Sequence, residues 1–154
     1  MRVTYAIPDI HGRFDLFEAA LERITEHSAG QRSTIVTLGD YIDRGPDSRK
    51  VIERLMTWQS DTLHLVALKG NHEVMMWETC NNLADLSWWT KNGGDRTLAS
   101  YNVNQTMVAS SVNVVPQTHL DWIAGLSLMH VDQHRIFVHA AVDPKLPLDR
   151  QSEQ

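Results

Sequence analysis

Four short runs carry the residue types that do chemistry. They are Pro8-Asp9-Ile10-His11-Gly12, Gly39-Asp40-Tyr41-Ile42-Asp43-Arg44-Gly45, Gly70-Asn71-His72-Glu73 and Val138-His139-Ala140. Asp9 and His11 stand two apart, and in an extended loop such a pair points the same way and can clasp one ion. Asp40 adds a second carboxylate, whose two oxygens can bridge two ions. Asn71 offers a neutral carbonyl oxygen and His139 an imidazole. Mixed nitrogen and oxygen ligands without thiolate suit Mn²⁺, Fe or Zn²⁺. Two divalent ions held by only two carboxylates keep a positive surplus, which suits a phosphate dianion. Without a cation, Asp9 and Asp40 repel each other.

The elements that must position these runs follow from the spacing of apolar residues. Val3 to Ile7, Thr34 to Leu38 and Thr62 to Leu68 read as strands, the first stopped by Pro8. Leu16, Phe17, Ala20, Leu21 and Ile24 recur at helical spacing and predict a helix from Phe14 to about Ala29, with Gly30 as its C-terminal cap. Asp47 or Ser48 can cap a helix carrying Val51, Ile52, Leu55 and Met56. Another helix begins at Glu73 and runs to about Cys80. Strand and helix in alternation predict βαβ units and a parallel sheet with helices on its faces. The stretch from Asn81 to Val115 has a weaker pattern: a turn at Asn92-Gly93-Gly94, then a short helix from Asp95 to Tyr101. Thr118 can cap a helix through Trp122 and Leu126. Leu128 to Val131 and Arg135 to Val138 predict a hairpin about Asp132-Gln133-His134.

All four runs sit where a strand ends. In open α/β sheets ligands bind at the carboxyl ends of the strands, so loops leaving one edge can converge on one site. A single Asp or His after a strand is ordinarily a cap or a turn residue, and Gly-Asp is a common turn dipeptide. Four such clusters at four strand ends are poorly explained by chance. His27, His64, His119, His130 and His134 read as surface or satisfied core residues. The Trp and Met residues, Trp88 and Trp89 among them, read as core or lid. Lys69 and Arg96 lie near the motifs without a signal of their own. Asn92-Gly93-Gly94 is no phosphate loop, because no Gly-Lys-Ser/Thr follows it.

Composition narrows the class. A chain of 154 residues with 42% hydrophobic and 21% charged residues is a single globular domain. Its net charge of −5 argues against broad nucleic-acid binding. No apolar run reaches a membrane span, and the start of the chain has no signal-peptide core. The single cysteine, Cys80, has no internal partner for a disulfide, which fits a reducing compartment. The expectation is a cytoplasmic protein without membrane or nucleic-acid partners.

The four blocks resemble the phosphoprotein phosphatase branch of the calcineurin-like metallophosphoesterases. That family's pattern is Gly-Asp-x-His-Gly, Gly-Asp-x-x-Asp-Arg-Gly, Gly-Asn-His-Glu and a strand-terminal His, and this chain shows all four in order. Trp89 to Asp95 and Thr97 to Tyr101 look like the bacterial and phage Ser/Thr protein phosphatases, as do Phe137 to Ala140 and Pro144 to Leu148. The resemblance covers essentially the whole chain, so the domain expected is 1–154. It implies an α/β fold with a two-layer β-sandwich flanked by helices, and two metal ions, Mn²⁺ foremost. By that resemblance Asp9, His11 and Asp40 bind the first ion. Asp40 bridges to a second, which also takes Asn71 and His139. A hydroxide bridging the ions attacks phosphorus in line, Arg44 holds phosphate oxygens, and His72 protonates the leaving oxygen with Asp43 orienting it. The substrate implied is a phosphoprotein or small phosphoester. A symmetrical dinucleoside-polyphosphate hydrolase of the same fold is the alternative, and a non-catalytic metal- or phosphate-binding remnant is a third reading.

Three departures stand out. Pro8 replaces the usual Gly before Asp9. Ala141 stands where relatives often carry Gly, and a left-handed backbone there would cost Ala roughly 1–2 kcal/mol. Relatives also supply another His to the second ion, and often another Arg, from further downstream. No His follows His139. The domain is therefore expected to be incomplete at its C-terminal end and to bind the second ion weakly.

Overall fold

A computed structural model describes residues 3–102 and 112–151. Three strands, β1 (Thr4–Ile7), β2 (Ser33–Thr37) and β3 (Leu63–Ala67), form a parallel sheet in the order β1-β2-β3. Thr4 pairs with Thr34, and Ser33 with Leu63. Helices α1 (Phe14–Ser28) and α2 (Ser48–Met56) make the two crossovers, as parallel pairing requires. Central β2 is buried, with Ile35 and Val36 fully covered, as expected of a strand enclosed on both faces. Phe17 and Leu21 of α1 and Val51, Ile52 and Leu55 of α2 fill the core from the helices.

Helix α3 (Asn71–Cys80) leaves the end of β3 and packs on α6 (Gln117–Ala124). Between them lie α4 (Leu86–Trp89), a stretch Thr90–Gly94 kinked at Gly93, and α5 (Asp95–Ser100). The chain closes its second sheet with an antiparallel hairpin of β4 (Met129–Val131) and β5 (Ile136–Val138). Among the described residues this hairpin is the whole of that second layer. A parallel bridge between Leu68 and Ser127 ties it to the end of β3. Hairpin and parallel sheet also meet where Thr4 bonds Asp132 and Arg135.

Most element expectations hold within two residues, and the exceptions have local causes. The last residue of α1 is followed by Ala29 at φ 48, so the left-handed cap falls on Ala29 before Gly30. The N-cap of α6 is Pro116, not Thr118, which lies inside the helix. Helix α4 lies in the stretch whose pattern was weak, and Asp85 caps it by accepting the Ser87 N–H at 2.6 Å. Residues 103–111, within that same stretch, lie outside the described residues. Pro8 follows an edge strand, where its missing N–H costs no ladder bond. Ala141 is not among the residues of positive φ, so it carries no left-handed cost. No helix among the described residues is long and apolar enough to cross a membrane.

Candidate metal and acid centre

The loops after β1, β2 and β3 leave the same edge because the strands are parallel, and the hairpin brings His139 to them. Asp40 lies at their meeting point. Its Oδ2 is 3.7 Å from His11 Nε2 and 3.8 Å from His72 Nε2, and its Oδ1 is 3.3 Å from His139 Nε2. Asp9 Oδ2 stands 3.8 Å from His11 Nε2. His139 Nε2 also lies 2.9 Å from Asn71 Oδ1. The ligating atoms of His11, Asp40 and His72 lie within 4.8 Å of one another, as do those of Asp9, Asp40 and His139. Asp40 belongs to both sets.

The chemistry of these donors suits a cation. His11 Nδ1 donates to the Ile42 carbonyl at 2.8 Å, and His139 Nδ1 donates to the Leu38 carbonyl at 2.9 Å. With Nδ1 carrying the proton, the neutral ring presents a lone pair at Nε2. Each Nε2 then faces carboxylate or amide oxygens, and a cation reconciles such a cluster of electron-rich atoms. A main-chain carbonyl on the far nitrogen is the usual way a metal-binding imidazole is oriented.

The backbone that delivers these groups is strained. His11, Asp40, Asp43 and Arg44 have φ of 44°, 53°, 71° and 66°. Non-glycine residues rarely adopt positive φ, and such sites persist only where the surroundings over-determine them. Asp9 and His11 therefore meet across a left-handed turn, not along an extended loop as the two-residue spacing suggested. The loop after β2 is gripped by Glu73. Its carboxylate accepts the N–H groups of Asp40 at 2.8 Å, Tyr41 at 2.9 Å and Gly70 at 2.9 Å. Burial pushes the Glu73 carboxyl up to about 7 against those N–H groups, which pull it down. Asp40 Oδ1 accepts the His72 N–H at 3.1 Å, in the first turn of α3, where a helix favours negative charge. Gly39, at φ 103, lets the two loops touch: a Cβ there would fall 2.5 Å from Gly70 N.

Beside the metal-type ligands lies a proton-type pair. His72 Nδ1 donates to Asp43 Oδ2 at 2.6 Å, and both side chains are buried. Burial lowers the His72 pKa, but the Asp43 hydrogen bond and the charges of Asp40 and Asp43 outweigh it and leave it raised. His72 Nε2 lies 3.8 Å from Asp40 Oδ2 and 3.1 Å from Arg44 Nη2. Arg44 Nη1 donates to His11 Nε2 at 2.8 Å, while the arginine itself is exposed. Sequence reasoning singled out all eight of these residues: Asp9, His11, Asp40, Asp43, Arg44, Asn71, His72 and His139. It missed what supports Asp43. Trp89 Nε1 donates to both Asp43 oxygens, at 3.1 and 3.0 Å. Thr97 Oγ1 donates to Asp43 Oδ1 at 2.6 Å and accepts the Asp43 N–H at 2.8 Å.

The chain is similar to known proteins. The calcineurin-like phosphoesterase family model matches residues 3–148. The serine/threonine-protein phosphatase 2 of Escherichia coli is 32% identical over 95 residues, 61% of this chain and 39% of the relative. The symmetrical bis(5'-nucleosyl)-tetraphosphatase of Pseudomonas fluorescens is 27% identical over 149 residues, 96% of this chain and 46% of the relative. A solved structure titled as a putative diadenosine tetraphosphatase superposes with a TM-score of 0.58 at 20% identity, covering 99% of this chain and 61% of that one. The chain thus spans less than half the length of these two curated relatives. The relatives carry different activities, and the likeness to both supports the family above either branch of it. The chain belongs to the calcineurin-like phosphoesterase family.

Proposed function

We propose that this chain carries the site of a metal-dependent phosphoester hydrolase, acting on phosphomonoesters of the Ser/Thr phosphoprotein type. The observation that carries the reading is the adjacency of two arrangements at Asp40. A ligand cluster for cations lies on one side, and the buried Asp43–His72 pair at 2.6 Å on the other. Asp9, His11, Asp40, Asn71 and His139 would hold the ions, Mn²⁺ first. Bound divalent ions supply a nucleophile at neutral pH and neutralise phosphate charge.

The chain's own groups do the rest. Asp40 sets the geometry by offering one oxygen to each side. Arg44, the exposed member, presents a planar fork that matches two phosphate oxygens. His72 holds a proton on Nε2 for the leaving oxygen, and Asp43 on Nδ1 favours the charged ring and fixes its direction. Burial of the pair keeps water from competing for that bond. In this reading the cytoplasm is the working compartment and the phosphorylated substrate the main partner.

Turnover of p-nitrophenyl phosphate with added Mn²⁺, silenced by chelator and by Asp40→Asn, tests the enzyme reading. Asp40→Asn should cost at least about 100-fold in metal affinity, the upper range for groups that merely support a ligand. No turnover with any divalent ion, beside wild-type folding, would favour a binding remnant. A phosphoserine peptide compared with diadenosine tetraphosphate then separates the phosphatase from the dinucleotide hydrolase. The long match to the tetraphosphatase keeps that second substrate in the comparison.

A further inference from the structure

The segment from Trp89 to Thr97 makes five hydrogen bonds to Asp43 and Arg44, neither of them a metal-type ligand. Trp89 and Thr97 are both fully buried, as is Asp43. The Trp89 indole N–H straddles the two Asp43 oxygens. The Thr97 hydroxyl bonds the Asp43 carboxylate and its backbone N–H together. One residue later, the Gly93 carbonyl accepts the Arg44 N–H at 3.2 Å. The two glycines make this approach feasible. A Cβ on Gly93, itself at φ 104, would lie 2.7 Å from Arg44 N, and one on Gly94 would lie 2.5 Å from the Trp89 ring. A kink at Gly93, with φ 104 and ψ 5, separates the helical turn that carries Trp89 from the one that carries Thr97.

We propose that Trp89 and Thr97 are positioning residues for the acid step. They hold Asp43 and Arg44 in their left-handed turn and aim Asp43 Oδ2 at His72, so that His72 Nε2 faces the reacting centre. The proposal rests on the phosphoesterase reading for its catalytic consequence, but its geometric content does not. His72 has one bond at Nδ1, to a carboxylate whose other contacts are Trp89 and Thr97. Without them the carboxylate can rotate about its last torsion, a broad two-fold well. The imidazole would rotate with it. A buried polar network of this kind gains its direction only when every member is satisfied.

The test uses the chain as it stands, without added metal, and three substitutions. Trp89→Phe keeps an aromatic ring and removes the N–H. Thr97→Val keeps the shape and removes the hydroxyl. Thr97→Ser restores it. Proton spectra should show a far-downfield His72 Nδ1–H resonance, identified by its loss in His72→Asn. It should be lost or exchange-broadened in Trp89→Phe and Thr97→Val and return in Thr97→Ser. If one variant fails to fold, the other decides. With Mn²⁺, kcat on phenyl phosphate should fall about tenfold in both variants, a fraction of what a general acid contributes. The fall on p-nitrophenyl phosphate, whose leaving group scarcely needs a proton, should be much smaller, and KM should hold. An unchanged resonance in folded variants overturns the proposal, as does an equal loss on both substrates. If the wild type turns over nothing, the functional reading fails while the resonance still decides the positioning.

Discussion

Asp9 and Asp43 are carboxylates on loops that leave the same sheet edge, yet they are held in opposite ways. The Asp9 side chain is 52% exposed, and its Oδ2 stands 3.8 Å from His11 Nε2. Asp43 is wholly buried and takes donors from His72, Trp89 and Thr97. The same contrast divides the site. His139 comes from a hairpin with three residues in each strand, whereas His72 sits in α3 with 2% of its side chain exposed. Asp9 and the hairpin-borne His139, groups suited to a cation, are held more loosely than the buried Asp40, Asp43 and His72, and an ion can draw such ligands into place. Groups suited to moving a proton carry their geometry before anything binds, because a proton cannot organise the residues around it.

The contrast predicts how the halves fail. Asp43→Asn removes a buried charge from three donors and sets amide N–H groups among them, so it should cost about 3 kcal/mol in metal-free stability, the scale of breaking a buried pair. Asp9→Asn should not lower the metal-free melting temperature, because it relieves the repulsion from Asp40, and should weaken metal uptake. Denaturant midpoints of the two variants in chelator check this directly. Equal losses would erase the distinction between the halves.

Metal addition should then act on the loose half. Free Mn²⁺ at 100 times its dissociation constant should stabilise the fold by about 2.7 kcal/mol. That is a rise in Tm of roughly 5–11 °C for a domain of this size. Asp9→Asn and His139→Ala should blunt the rise, whereas Trp89→Phe should keep it. A Tm unmoved by any divalent ion would break the assignment of the loose half.

What was legible in the sequence follows the same line. That these eight candidate residues gather was readable because metal and proton chemistry use Asp, His, Asn and Arg, and strand ends announce where loops meet. The parallel sheet was readable from alternating patterns. Trp89 and Thr97 stood in stretches that resemble relatives, but their contact with Asp43 was not readable, because it spans 46 and 54 residues. Gly93 and Gly94 read as a turn, although what they admit is Arg44 N on one side and an indole on the other. Glu73 stood in its motif with no stated role, because its partners are backbone N–H groups that no residue type reveals.

Glu73 gives the third prediction. In Glu73→Gln one amide atom must face the Tyr41 N–H or the Asp40 and Gly70 N–H groups as a donor. A donor against a donor leaves buried groups unsatisfied, at a cost of about 1–3 kcal/mol. The loss should appear in urea midpoints, with Asp40 and Tyr41 amides exchanging faster. A fully stable Glu73→Gln would mean that Gly39 and Gly70 alone hold the two loops together.

The smallest effect lies away from the site and controls for pH. His119 is buried in α6, with Nδ1 2.7 Å from the Tyr101 hydroxyl. Burial lowers its pKa below 6.5. Glu53 of α2 pulls it up and Arg49 of the same helix pulls it down, and those two pair with each other at 2.8 Å. Below 6.5 the unfolded chain therefore binds a proton that the folded chain resists. The stability from neutral His119 is present above the ordinary value and is lost as pH falls toward the folded one. His119→Gln should lower stability at pH 7, yet lose less than wild type between pH 7 and pH 5. The measurement is a urea midpoint series in chelator, so that ligand protonation at the metal-type residues adds no ion-dependent slope. A mutant whose midpoint falls as steeply as wild type would remove His119 as the source of the acid sensitivity; the Asp43–His72 pair cannot take its place, because a histidine whose pKa is raised on folding gains stability as pH falls.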